Sequence, residues 1–281
     1  MTDNISALVV EGGALRSVFS AGVLDGFLAH DFDPFDFHIG VSAGATNLAF
    51  YRAGQAGRSY SIFLDIIDSS RFISYRRFLR GGHLLDLDWL YNSYFHEDML
   101  DLHKAFDPAK PFYICVTDVS TGKPRYLLPT LDNYLDIIKA TTALPLVYRR
   151  FPDIDGEAMA DGGVADAIPV AKAIELGANR IVVIRARHYS YMKKDTLGHR
   201  FIRWKSRTHP ALVDIMHQRI RLHHQTIDLI RHPPDGVKIV EVCPPDSFDI
   251  GRFSRNKQRL EQGYRAGLEQ ADSVIASFRD A

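Results

Sequence analysis

A short apolar run, Phe37-His38-Ile39, leads straight into Gly40-Val41-Ser42-Ala43-Gly44, and no other stretch restricts the fold so tightly. The G-x-S-x-G pattern holds a serine on a sharp strand-to-helix turn with its hydroxyl exposed. Gly40 and Gly44 flank the serine because neighbouring backbone passes very close to such a turn. Ala45 to Ala53 reads as the helix that follows, and its N-terminus directs partial positive charge at Ser42. Ser42 is therefore a candidate nucleophile.

Two further glycine-rich pieces stand at a distance. Glu11-Gly12-Gly13-Ala14-Leu15-Arg16 lies between the strand-like run Ile5–Val10 and a helical stretch, Val18 to His30. Two glycines between a strand and a helix leave backbone N–H groups free to bind phosphate or an oxyanion. With a serine nucleophile available, oxyanion stabilisation by Gly12 and Gly13 is the more economical reading. Asp161-Gly162-Gly163 follows a hairpin expected around Asp155-Gly156, and on its own it would be an ordinary turn.

In this order the three pieces resemble the patatin-like phospholipase family. That family combines a glycine-rich oxyanion loop after the first strand, a G-x-S-x-G elbow and a distant Asp-Gly-Gly. The likeness extends to Ala140-Thr141-Thr142-Ala143-Leu144-Pro145 and to Gly163 through Val170, covering about Leu8 to Ile184. It implies a Ser42–Asp161 dyad with Asp161 as the base, an oxyanion hole of Gly12, Gly13 and Ala14, and an Arg16 that braces the loop. Gly162 and Gly163 support the aspartate, and no cofactor or metal is implied. The loop departs from the family's usual Gly-Gly-Gly-x-Arg-Gly: Ala14 replaces the third glycine and Ser17 the last. Since alanine tolerates positive φ poorly, Gly12 and Gly13 are the better oxyanion donors.

An α/β-hydrolase with a Ser-Asp-His triad is the competing serine-hydrolase reading. Only about 40 residues precede Ser42, enough for one βαβ unit. None of the 12 histidines sits in a recognisable motif. His217, His223 and His224 do not fall on one helical face, which argues against a metal site.

Strands alternate with helices along the chain, which predicts a three-layer α/β/α fold with a mainly parallel, patatin-like sheet. Expected strands are Phe112 to Thr117, Arg125 to Leu128, Arg180 to Ile184 and Val237 to Val242. Expected helices include Ser59 to Asp68, Asp88 to Tyr94, Leu131 to Thr142 and Pro169 to Leu176. The C-terminal helices 210–231 and 256–278 belong to the same single domain, 1–281, whose catalytic motifs fall within 8–170. No Pro/Gly/Ser-rich linker divides the chain. Without a signal-like N-terminus or a run of ~20 apolar residues, a cytoplasmic location is the default expectation. Cys115 and Cys243 read as free thiols.

Formal net charge is zero, with 34 basic and 34 acidic side chains, yet the charges are segregated. The stretch 185–232 holds 11 Lys/Arg against three Asp, with Tyr189, Tyr191, Phe201 and Trp204 interleaved. A smaller basic and aromatic segment spans 71–80. Such segments suit an anionic membrane surface as much as an ordinary solvated face, and no nucleic-acid motif accompanies them. The functional expectation is a lipid acyl hydrolase acting on phospholipid or lysophospholipid. A thioesterase or acyltransferase using the same dyad, or a non-catalytic anion- or nucleotide-binding module, is the alternative.

Overall fold

Ser6–Val10 forms the central strand, β1, and all five of its residues are buried, as a strand covered on both faces requires. The structure, a computed structural model, describes residues 4–145, 147–194 and 208–280. β1 pairs in parallel with β2 (Phe37–Val41) on one side and β7 (Arg180–Ile184) on the other. β8 (Lys238–Val242) extends the sheet beyond β7, and β3 (Phe112–Asp118) extends it beyond β2, both in parallel. Three antiparallel strands complete it: β4 (Pro124–Leu127) and β6 (Glu157–Asp161) on β3, and β5 (Asp153–Ile154) on β6. The sheet is mixed and mostly parallel, with helices on both faces.

Alternation along β1 sends Leu8 and Val10 to one face and Ala7 and Val9 to the other. On the first face lie α1 (Val18–Ala29), α2 (Ala43–Arg52), α3 (Arg58–Asp68), α5 (Leu87–Tyr94) and α7 (Tyr134–Thr142). The short helices α4 (Tyr75–Leu79) and α6 (Leu102–Ala105) precede α5 and β3. The second face is covered by α8 (Val170–Glu175) and α9 (Pro210–Arg231). The last helix, α10 (Lys257–Arg279), returns to the first face and packs along α1.

The α1–α10 contact is a seam of small residues. A Cβ on Gly22 would lie 2.0 Å from Tyr264 O, and one on Gly267 would lie 2.2 Å from Phe19 O. Only glycine lets the two backbones come so close.

The expected elements are present, with boundaries shifted by a few residues. The elbow helix begins at Ala43 rather than Ala45, and α7 begins at Tyr134 rather than Leu131. There Asn133 Oδ1 accepts the Thr130 N–H and holds the preceding residues in a turn. α4 and α6 were not expected; each is a single turn stabilised by a side-chain cap, Ser74 or Asp101. Cys115 is buried and Cys243 half-buried, and both are free. Among the described residues no helix is long and apolar enough to cross a membrane. Arg200, Phe201, Arg203, Trp204, Lys205 and Arg207 of the basic stretch lie outside the described residues.

Gly267→Ala should destabilise the protein by about 1–3 kcal/mol, because the added methyl meets backbone that cannot rotate away. Urea denaturation measures this, and an unchanged midpoint would show that the seam is not tight.

Candidate active site

Strand register brings the serine and the aspartate together. Val41, the last residue of β2, pairs with Cys115, and Asp161, the last residue of β6, pairs with Val116. β4 pairs with both Cys115 and Val116 along one edge of β3. β2 and β6 must therefore share the other edge, meeting end to end. Ser42, one residue past β2, consequently faces Asp161 across the junction. Ser42 Oγ donates to Asp161 Oδ2 at 2.8 Å, although the residues are 119 positions apart in sequence.

The serine is held in an elbow. Its φ of +52° and ψ of −129° are strained for a residue with a side chain. Its N–H donates to Thr141 Oγ1 at 2.8 Å, and the Thr141 hydroxyl donates to Cys115 O at 2.6 Å. Thr141 thus ties the elbow to β3. A Cβ on Gly44 would lie 2.6 Å from Val10 O, and one on Gly12 would lie 2.7 Å from Val41 O. These two glycines let the β1–α1 loop press against the elbow. Gly40 packs against Ala45, and Gly162 against the Cys115 carbonyl.

Asp161 is buried, with its backbone anchored by Thr117 Oγ1, which donates to Asp161 O at 2.8 Å. The Gly163 N–H donates to Asp161 Oδ1 at 2.8 Å, fixing the carboxylate plane. Burial raises its pKa above the ordinary carboxylate value; the Ser42 and Gly163 hydrogen bonds and the charges of Arg252 and Arg219 counteract only part of that rise. Among the described residues no histidine accepts the Ser42 hydroxyl. His223 lines the same cavity, but burial and neighbouring cations push its pKa down to about 3, so it is neutral.

Gly12, Gly13 and Ala14 line the Ser42 cavity, and none of their N–H groups donates to another described residue. The positive φ in this loop falls on Ala14, at +52°, and not on a glycine. Alanine tolerates this conformation poorly, yet the chain holds Ala14 there. The Ala43 N–H, at the start of α2, is likewise without a described acceptor. No motif pointed to it beyond its place after the serine. Arg16 lies in a 3-10 turn ahead of α1, not within α1, and its N–H donates to Gly13 O at 3.3 Å. Its buried guanidinium hydrogen-bonds to no described residue and lines the cavity instead.

A model of the patatin-like phospholipase family matches residues 8–174, more than half of the chain. The chain belongs to the patatin-like phospholipase family. A second family model, a domain of unknown function (DUF6363), matches residues 209–281. The uncharacterized protein YjjU of Escherichia coli (strain K12) is 35% identical over 266 residues, covering 93% of this chain and 74% of that protein. Among solved structures, VipD from Legionella pneumophila is similar at a TM-score of 0.49 and 12% identity, over 98% of this chain and 67% of that one.

Two cavities meet at the serine of this patatin-like chain. One is apolar, walled by Ile62, Phe63, Ile66, Leu87, Leu90 and Phe95 among others. The second is polar and contains Asp161, the glycine loop, Arg16, Arg187, Lys193, Arg219 and Arg252. Ser42, Ala14, Leu144 and Arg252 line both. The described part of the basic stretch 185–232 is therefore no continuous surface. Arg185 is wholly buried against Glu241, Arg231 pairs with the same carboxylate, and Arg187, Lys193 and Arg219 turn into the polar cavity.

The segment 71–80 is likewise divided. Arg77 donates to the carbonyls of Arg71, Phe72, His83 and Leu84 and to Asp86, clamping the loop around α4. Arg76, Arg80, Tyr75 and Leu79 remain exposed.

Ala14→Gly should raise stability by on the order of 1 kcal/mol, because glycine carries no penalty at positive φ. Thermal and urea unfolding would register the gain; a loss would show that the alanine methyl contributes packing larger than the strain.

Proposed function

We propose that the chain is a lipid acyl hydrolase that cleaves carboxylic esters through a Ser42–Asp161 dyad and an acyl-enzyme. The observation that carries this reading is the 2.8 Å Ser42–Asp161 hydrogen bond at the junction of an apolar and a polar cavity. The apolar cavity suits a fatty acyl chain, and the polar one suits the alcohol portion. Together with the family's lipid chemistry, this arrangement favours an ester over a nucleotide ligand. We place the whole chain, 1–281, in one catalytic unit, because β8 and α10 complete the sheet and its first face.

The steps follow from the geometry. Ser42 Oγ attacks the ester carbonyl as its proton passes to Asp161 Oδ2. Negative charge develops on the carbonyl oxygen, where the free N–H groups of Gly12, Gly13 and Ala14 can hold it, with the Ala43 N–H beside the serine. Collapse breaks the bond to the alcohol, which leaves with the proton from Asp161. A water then loses a proton to Asp161 and attacks the acyl carbon. Ser42 Oγ departs with that proton, releasing the fatty acid. The raised pKa of Asp161 brings its basicity closer to that of a useful general base than a free carboxylate would be.

Asp161→Asn should lower kcat on a short soluble ester by roughly 10²–10⁴-fold. His223→Ala should cost far less. The substitution should also keep or raise Tm at neutral pH. A carboxyl with a raised folded pKa is destabilising when ionised, and that cost disappears as pH falls through the folded value. For the same reason, the acid limb of kcat/KM in the wild type should lie above ~3.9, the ordinary aspartate value. An active Asp161→Asn protein, or an equally dead but folded His223→Ala protein, would replace the dyad with another mechanism.

Tyr75 and Leu79, 65% and 85% exposed, project from α4, next to the Phe72 and Ile73 wall of the apolar cavity. With Arg76 and Arg80 they form an apolar tip ringed by cations, which suits peripheral contact with an anionic bilayer. Arg76→Glu with Leu79→Asp should reduce turnover on anionic vesicles while sparing a soluble ester. Equal loss on both substrates would locate the damage in the fold, and no loss on vesicles would remove α4 from the contact.

A further inference from the structure

The polar cavity beside Ser42 carries more positive charge than the described residues around it neutralise. Arg16, Arg187, Lys193, Arg219 and Arg252 all line it, against the carboxylates of Glu11 and Asp161. Among the described residues, none of the five forms an ion pair, and their side chains make only one hydrogen bond, from Arg219 Nη2 to Gly163 O at 3.0 Å. Arg16 and Arg219 are more than nine-tenths buried, and the Nε atoms of Arg16, Arg187 and Arg219 are buried without an acceptor. Lys193, also nine-tenths buried, finds no acceptor for its Nζ among the described residues. Buried charges are normally paired, because leaving one unpaired forfeits its hydration without return.

Both carboxylates have other partners. Asp161 accepts from Ser42 and Gly163, and Glu11 Oε2 accepts the Ala186 N–H at 2.8 Å. Burial and mutual repulsion hold Arg16 down to about 9, Arg219 down to about 10 and Lys193 well below its ordinary value. An arriving anion would relieve that repulsion.

We propose that this cavity is a phosphate subsite that selects acyl esters whose alcohol carries a net-negative phosphate head group. The inference rests on the hydrolase reading for the ester, but the anion site itself does not. In a glycerol-based ester the phosphate lies a few bonds from the acyl carbonyl. With the chain in the apolar cavity and the carbonyl at Ser42, the head group falls among the five cations. Among the described residues the cavity offers no free carboxylate for a choline or ethanolamine cation, and the Tyr191 ring is already covered by Arg187 at 4.6 Å. A zwitterionic head group would therefore place its positive end against positive charge.

Four of the five cations lie beyond the patatin-like match at 8–174. Arg187 and Lys193 follow β7, while Arg219 and Arg252 belong to the region 209–281. On this reading, the chain beyond the patatin-like match supplies most of the head-group recognition for the site that the N-terminal motifs build, and the region 209–281 adds Arg219 and Arg252 to it.

The test uses the full-length protein and one acyl chain on three lysolipid-type esters in neutral detergent micelles: a phosphomonoester, a phosphocholine and an uncharged glycerol ester. The phosphomonoester should be cleaved fastest. Lys193→Met and, separately, Arg187→Gln should each lower the ratio of phosphomonoester to uncharged-ester rates by roughly 10–100-fold, the worth of a charge-assisted hydrogen bond. A parallel titration of Ser42→Ala protein with glycerol 3-phosphate and with inorganic phosphate reads binding without catalysis. Glycerol 3-phosphate should bind more tightly, and Lys193→Met should weaken it by a similar factor. Binding that depends on Lys193 without ester cleavage by the wild type would keep the subsite and remove the hydrolase reading. Cleavage with no head-group preference would do the reverse. Equal binding of inorganic phosphate together with no preference among the lipids would reduce the cavity to a free-anion site and overturn the proposal. If Lys193→Met fails to fold, the half-buried Arg187→Gln decides.

Discussion

The 2.8 Å hydrogen bond between Ser42 and Asp161 depends on the way two strands share one edge of a third. β2 runs parallel to β3 and stops at Val41; β6 runs antiparallel and stops at Asp161, one register position further on. Both chain ends thus point at the same gap, and each next step needs little room. Gly12 and Gly44 supply that room on one side, and Gly162, packed on the Cys115 carbonyl, supplies it on the other. A slip of one residue in either strand would turn that strand's side chains to the opposite face of the sheet and part the pair. The surrounding sheet, buried on both faces, makes such a slip costly.

Around that gap the protein keeps two different environments. The first-face helices wall an apolar cavity, whereas the segment after β7, α9 and the residues before α10 wall a cationic one. The separation is economical because strain and uncompensated charge are confined to one place. Ser42 and Ala14 both hold positive φ there, and Arg16, Lys193 and Arg219 are buried there with few partners. Such costs are tolerated where a site needs preorganised geometry and charge.

Much of the fold was legible in the sequence because its signals are local. Apolar runs such as Ile5–Val10 announce buried strands, and the punctuation around Ser42, Gly163 and Pro169 marks turns and helix starts. The pairing of Ser42 with Asp161 was legible only through resemblance, since nothing local ties Asp161 to a serine 119 positions away. The cationic cavity was not legible as such. The excess of basic residues in 185–232 is plain, but whether a given side chain points outward or inward depends on packing between distant elements. Arg185 and Arg219 are buried, whereas Arg221, two positions from Arg219, is exposed. Arg77 hides in the same way, a loop clamp within a segment that composition alone marks as surface. Ala14 illustrates the opposite error: local propensity argued against positive φ there, and the tertiary contact between loop and elbow overrode it.

The central claim is that Ser42 is the residue made reactive by this geometry, and covalent labelling tests it most directly. A fluorophosphonate probe incubated with the intact protein should leave one adduct on the peptide that contains Ser42. Labelling should vanish in Ser42→Ala and slow sharply in Asp161→Asn. An adduct on a different residue, or undiminished labelling of the Ser42→Ala protein, would contradict the account.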